Sequence, residues 1–247
     1  MYLIAILYGA ASFAYLYYLA RTTPAMAAWA HRLITIGFVV HLLSVIQLFT
    51  TTGHLPITTL QESLFFLSMI IVGVFILFER IFKVAVLGSF IVPLAMLMLA
   101  VSSMMHSVSG LQAAGYAGSR IYWVHILLAF LSYAMFTVSC GASGMYLLQQ
   151  HFLKKKRFGA MFHKLPAIET LDRISFYCLA IGFPLLTMAI LAGIIRLELM
   201  TGRLWNWSDP KQLWSLLTWA IYAVIFRNYH RKAGFGMKIP PAGVLLS

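Results

Sequence analysis

Histidine and tryptophan are the residues of this sequence with the clearest capacity for chemistry, and both are unevenly placed. Of the eight histidines, His31, His151, His163 and His230 sit beside basic stretches, His54 and His106 sit in connecting segments, and His125 lies near the start of an apolar run. His41 stands apart, near the middle of a second apolar run and about 12 Å from either end of it at the helical rise. An ionisable group at that depth is costly unless paired or ligated. A ligand to a cofactor or a neutral imidazole bonded to a helix carbonyl would each account for it.

The tryptophans are clustered. Trp205, Trp207, Trp214 and Trp219 are four of the six in the chain and fall within 15 positions. A membrane-interface belt is one explanation. Belts form at both interfaces, however, and the connections on the inner side offer only Trp29, while Asp209-Pro210 marks a turn and helix start inside the cluster. A surface for a flat aromatic ligand is the other explanation.

Ligand types narrow the chemistry. Imidazole suits iron, copper or zinc, but HExxH and clustered His/Cys spacings are absent, which argues against a zinc centre. Cys140 and Cys178 fall inside apolar runs without CxxC spacing and read as buried thiols. Nucleophile elbows, Walker loops and dinucleotide fingerprints are missing as well, and GASG at 141–144 reads as close helix packing. Haem fits the residues better. It needs one or two axial histidines, such as His125, a broad aromatic surface and polar groups for its propionates.

The elements that must position these residues are membrane helices. The chain has 247 residues, is 62% hydrophobic and only 10% charged, with a mean hydropathy of +0.88, too apolar for a soluble core. Seven apolar runs reach or approach the ~18–20 residues that cross a bilayer. They cover about residues 2–20, 33–50, 60–78, 84–105, 122–149, 174–195 and 211–226. The first lacks a basic stretch before it and a small-residue cleavage site after it, so it reads as a helix and not as a signal peptide. The expected fold is an all-α integral membrane protein, a bundle of about seven transmembrane helices in a single domain over residues 1–247, with the lipid bilayer as its solvent.

Charge sets the orientation. The net charge of +12 is concentrated in alternate connections: of 18 basic residues only Arg120, Arg196, Arg203 and Lys211 fall on the other side. The positive-inside rule then gives an N-out, C-in topology. The basic excess is therefore topogenic, and no nucleic acid is expected as a partner, since the run Lys154–Arg157 is short and lacks interleaved aromatics.

WNWSDPKQLWSLLTWAIYA at 205–223, with YWVHILLAFLSYAMF at 122–136, LPAIETLDRIS at 165–175, GFPLLTMAILAG at 182–193 and HLLSVIQLFTTTGHLPITTLQESLFF at 41–66, resembles the cytochrome c assembly family of haem-handling membrane proteins, with its CcsA-, CcmC- and HemX-like branches. The resemblance covers most of the chain. It implies that Trp205, Trp207, Asp209 and Trp214 form an outer docking surface for non-covalent, b-type haem, with His125 as an axial ligand there. It implies that His41 holds haem on its way across the membrane, and that a histidine after the helix following the tryptophans takes part. His230 lies one turn beyond that position, where Arg227 stands. Arg203 would pair with propionates, or is an ordinary interfacial arginine. Apocytochrome c or other cytochrome assembly membrane proteins are the implied partners, and the bacterial inner (plasma) membrane the implied location, with the chain multi-pass. Any synthase activity would belong to a larger system, because no acid–base pair stands out.

Three departures mark this sequence. Ser208 separates the last loop tryptophan from Asp209, Gln212 stands where the family usually has glutamate, and the chain stops at Ser247, where relatives continue into another helix and an outer histidine. His54, His106 or a partner would then supply the second outer ligand. The alternative reading is a HemX-like regulatory or scaffolding membrane protein of tetrapyrrole metabolism without haem export.

Overall fold

The structure, a computed structural model, describes residues 1–105, 120–156, 162, 164–205, 207 and 209–234; the side chains of Arg120 and of residues 230–234 lie outside that description. The expected positions His106, His163 and Ser208 are outside it too. Among the described residues there are seven long helices and no strand. They are α1 (Tyr2–Arg21), α2 (Pro24–Thr52), α3 (Leu60–Phe82), α4 (Gly88–Met104, after a short 3-10 turn at Ala85–Leu87), α5 (Arg120–Lys154), α6 (Ile168–Thr201) and α7 (Pro210–Gly234). The chain is an all-α, multi-pass membrane protein.

Local chemistry sets the helix boundaries. Thr22 adopts a left-handed conformation (φ 53°) and its N–H closes α1 on the Tyr18 carbonyl, after which Pro24 stands at the first turn of α2. Gly53, at φ 74°, ends α2 in the same way. A reciprocal cap starts α3: Thr59 Oγ1 accepts from the Glu62 N–H at 3.1 Å, while the Glu62 carboxylate accepts from the N–H and hydroxyl of Thr58 at 2.9 and 2.6 Å.

Six helices, α1 to α6, are long and apolar enough to cross a membrane. The expected seventh span forms a helix of 25 residues but is not among them. Its apolar stretch, Leu213–Phe226, is about 14 residues or about 21 Å, and Arg227, Arg231 and Lys232 follow at once.

Contacts divide the chain into two compact units, residues 1–118 with 137–175, and residues 119–136 with 176–247. In the first, α1 packs on α2 and α4, and α3 packs on α2 and α4, so the four helices close a ring. Tyr8 and Tyr15 of α1 are fully buried in it. Gly88 lets Tyr15 approach: a Cβ there would stand 2.6 Å from the tyrosine ring. The second unit is centred on Phe136, Leu179 and Leu186, against which Trp219, Tyr222 and Phe226 of α7 pack. Phe136 and Tyr222 stack at 3.6 Å between ring centroids.

Candidate functional site

In the first unit His41 is turned into the bundle and has no exposed surface. It lies on the α2 stripe Ala30, Ile34, Gly37, His41 and Val45, the face that helical periodicity directs to the core. Its Nδ1 is 3.1 Å from the Tyr8 hydroxyl, and the Phe65 ring lies 4.2 Å away between centroids. The partner of the imidazole is thus a tyrosine of α1 and not a carbonyl of its own helix. Nε2 is buried and makes no hydrogen bond of good geometry among the described residues, although the Phe65 backbone of α3 lies close to the ring.

A second buried polar centre in this unit was not singled out from sequence. Glu79 accepts from the Tyr15 hydroxyl at 2.9 Å to each carboxylate oxygen and lies 2.7 Å from His31 Nδ1, so it joins α1, α2 and α3. The signal was present. Glu79 is one of only six acidic residues, and a carboxylate at the edge of an apolar run asks for a partner.

In the second unit His125 of α5 leans on α6. Its Nδ1 is 2.6 Å from the Ala189 carbonyl oxygen. A carbonyl only accepts, so Nδ1 carries the proton and Nε2 holds the lone pair. Gly193 makes the approach possible: a Cβ there would stand 2.9 Å from His125 Cε1 and 3.0 Å from Nδ1. A ring fixed through one nitrogen to a backbone carbonyl, with the other nitrogen left basic, is the arrangement of a metal-ligating histidine. Nearby, the Arg196 guanidinium lies 4.4 Å from the centre of the Tyr122 ring.

The tryptophan loop follows α6 after Thr201, 12 positions beyond Ala189 and so about 18 Å further along the helix. Trp205 and Trp207 meet edge to face at 5.9 Å, and Trp205 Nε1 is buried without a hydrogen-bond partner among the described residues. Trp207 and Trp214 are 70% and 67% exposed, leaving broad aromatic faces open. Trp219, in contrast, is structural, since its Nε1 donates to Thr187 Oγ1 at 3.0 Å. Asp209 caps α7, its Oδ1 accepting from the Lys211 N–H at 3.0 Å. Arg203 is exposed within the loop.

The second unit thus carries His125 against the middle of α6, and Arg203, Trp205, Trp207, Asp209 and Trp214 beyond its end at Thr201. His230 is on the backbone of α7, 20 positions beyond Pro210 and so about 30 Å along the helix from the loop. His54, in the first unit, turns Nδ1 to the Leu55 carbonyl. Among the described residues no three His, Cys, Asp or Glu side chains converge as ion ligands, so the donors present are single imidazoles. They fit haem: a basic Nε2 oriented by a carbonyl, open indole faces and a loop arginine. Sequence reasoning found His125 but not Ala189 or Gly193, whose role depends on contact across 64 and 68 positions.

The sequence matches the family described as cytochrome C assembly protein over residues 57–240. It is 31% identical to the cytochrome c biogenesis protein CcsA of Chlamydomonas reinhardtii over 195 residues, 76% of this chain and 53% of that protein. It is also 31% identical to protein HemX of Brevibacillus brevis over 179 residues, 72% of this chain and 65% of that protein. Against CcsA of Mesostigma viride it is 30% identical over 228 residues, 82% of this chain and 73% of that protein. The chain thus spans between half and two thirds of the length of the first two relatives.

Proposed function

The chain belongs to the cytochrome c assembly protein family, and on that premise we propose that it is a haem-binding membrane component of c-type cytochrome assembly, presenting haem at the outer face for attachment to apocytochrome c. The observation that carries the reading is the Nδ1–H of His125 held by the Ala189 carbonyl, which leaves Nε2 able to ligate a metal, in the same unit as the tryptophan loop. Haem supplies the iron and the macrocycle that a thiol-bearing apocytochrome acquires.

The chain's own residues bind and orient. His125 ligates, Trp207 and Trp214 cover a flat face, Asp209 holds the loop against α7, and Arg203 offers positive charge to propionates. His41, with Nε2 buried and without a hydrogen bond of good geometry among the described residues, is the ligand within the first unit. On this reading the membrane is a bacterial plasma membrane, and the distribution of basic residues supports an N-terminus outside it. Partners are apocytochrome c and other assembly membrane proteins.

The test is an absorption spectrum of detergent-purified protein before and after reduction, beside His125→Ala. A reducible pigment that His125→Ala diminishes is expected. Protein isolated without stoichiometric pigment would overturn the reading in favour of a regulatory or scaffolding role without haem export, the second reading, which the matches to proteins named HemX keep in view.

A further inference from the structure

A partly open cavity, lined by apolar and polar side chains, lies in the first unit beside the layer that holds His41. It measures about 410 Å³, and its walls include Ser44, Gln47 and Thr51 of α2, Gln61 and Glu62 of α3, and Ser102 of α4. Helical register explains its position. Ser44 and Leu48 follow His41 by three and seven positions, on the same face of α2 and one and two turns nearer Gly53. Gln61 precedes Phe65 by four positions, one turn nearer the start of α3. His41 and Phe65 therefore occupy the next turn along, at the cavity floor. Phe65 touches both compartments, lining the cavity while its ring stands 4.2 Å from that of His41.

His41 Nε2 and Gln61 Oε1, the latter of a residue that lines the cavity, are both buried, and neither has a hydrogen bond of good geometry among the described residues. Ser44, Thr51 and Ser102 donate to backbone carbonyls and Glu62 accepts from Thr58, so among the described residues Gln61 Oε1 is the buried lining atom left for solvent in the cavity to satisfy.

We propose that the cavity is a hydrated vestibule that takes water and small neutral polar ligands of about imidazole size, and that Phe65 is the gate between it and Nε2 of His41. With the ring closed, the imidazole is reserved for what reaches it inside the bundle. With the ring removed, the vestibule opens onto Nε2. This inference concerns access to an imidazole and does not depend on the haem reading.

The test is carbethoxylation of histidines by diethyl pyrocarbonate, read by peptide mapping on the full chain purified in detergent from cells starved of haem precursors. Because no pigment is needed, protein that never binds haem leaves the test intact. His41 in the unaltered chain should react far more slowly than His54. Phe65→Ala should raise the His41 rate by about tenfold or more while leaving His125, in the other unit, unchanged. Adding Ser44→Trp to that variant refills the vestibule and should return the rate to its original value. A Phe65→Ala variant with no increase at His41 would overturn the proposal. So would a parallel increase at His125, which marks general loosening, or an increase that Ser44→Trp does not reverse, which marks another route.

Discussion

Gly193→Ala is a one-carbon perturbation aimed at the tautomer of His125. The added Cβ would stand 2.9 Å from His125 Cε1 and 3.0 Å from Nδ1, against about 3.5 Å for an unstrained contact. The ring must withdraw by about half an ångström. Its 2.6 Å bond to the Ala189 carbonyl then lengthens by at most the same amount, to about 3.1 Å, and turns away from its present alignment, at a stability cost of up to about 1 kcal/mol. The ligand effect is larger, because a metal-binding imidazole that loses the partner of its other nitrogen typically loses about 10- to 100-fold in affinity. Gly144→Ala is the matched control, a helical glycine with nothing within 4 Å of its added Cβ. Any intrinsic gain from replacing glycine in a helix, about 1 kcal/mol, is common to both variants. Haem titration of the two purified proteins, followed by absorbance, should show weakened binding in Gly193→Ala alone. Equal affinity in the two would refute the argument that the Ala189 carbonyl orients His125 for ligation.

Tyr15→Phe removes the hydroxyl that donates to the buried Glu79 carboxylate, and the thermal midpoint in detergent should fall by the equivalent of about 1.5–3 kcal/mol, the range for hydrogen bonds to charged groups. Thr59→Ala breaks the reciprocal cap of α3 and should cost about 1 kcal/mol in the same assay, with Thr59→Ser largely restoring it. Lys156→Cys should stay unreactive toward an impermeant thiol reagent added outside intact cells; labelling there would reverse the N-out topology and move the tryptophan loop to the other side.

The helices were legible because hydropathy is summed along the chain. Their ends were less so. The apolar run at 174–195 marks only the middle of α6, which extends over Ile168–Thr201 because polar residues at either end continue the helix beyond the hydrocarbon. Pro24 is a helix-start residue, yet apolarity alone delays the start of α2 to position 33. The same shortening hid Glu79. Ending the third run at 78 placed that carboxylate in a connection, where an acid needs no explanation, whereas α3 continues to Phe82 and carries it into contact with Tyr15 and His31. The burial of His41 followed from its depth, but its partner did not, since Tyr8 is 33 positions away and faces it through helix packing. At the other candidate site residue type identified His125 and the tryptophans, while the glycine that admits the imidazole is visible only once α5 and α6 are side by side.

The brevity of the apolar stretch in α7 has a consequence for the surrounding lipid. About 21 Å of apolar helix set against about 30 Å of hydrocarbon is a negative hydrophobic mismatch of about 9 Å. Tilting aggravates a shortfall of this sign. If α7 spans the bilayer, the remaining adjustments are thinning of the adjacent leaflets and the upward and downward reach of Lys211 and Arg227, which bracket the stretch. Such thinning would draw the headgroup layer toward the exposed indoles of Trp207 and Trp214. The lipid around this helix would then be a local dip in the membrane, and the affinity of the loop for a flat amphiphile would depend on bilayer thickness. Thicker bilayers would deepen the mismatch at a cost of fractions of a kcal/mol per ångström, coupling membrane composition to the shape of the loop's surroundings.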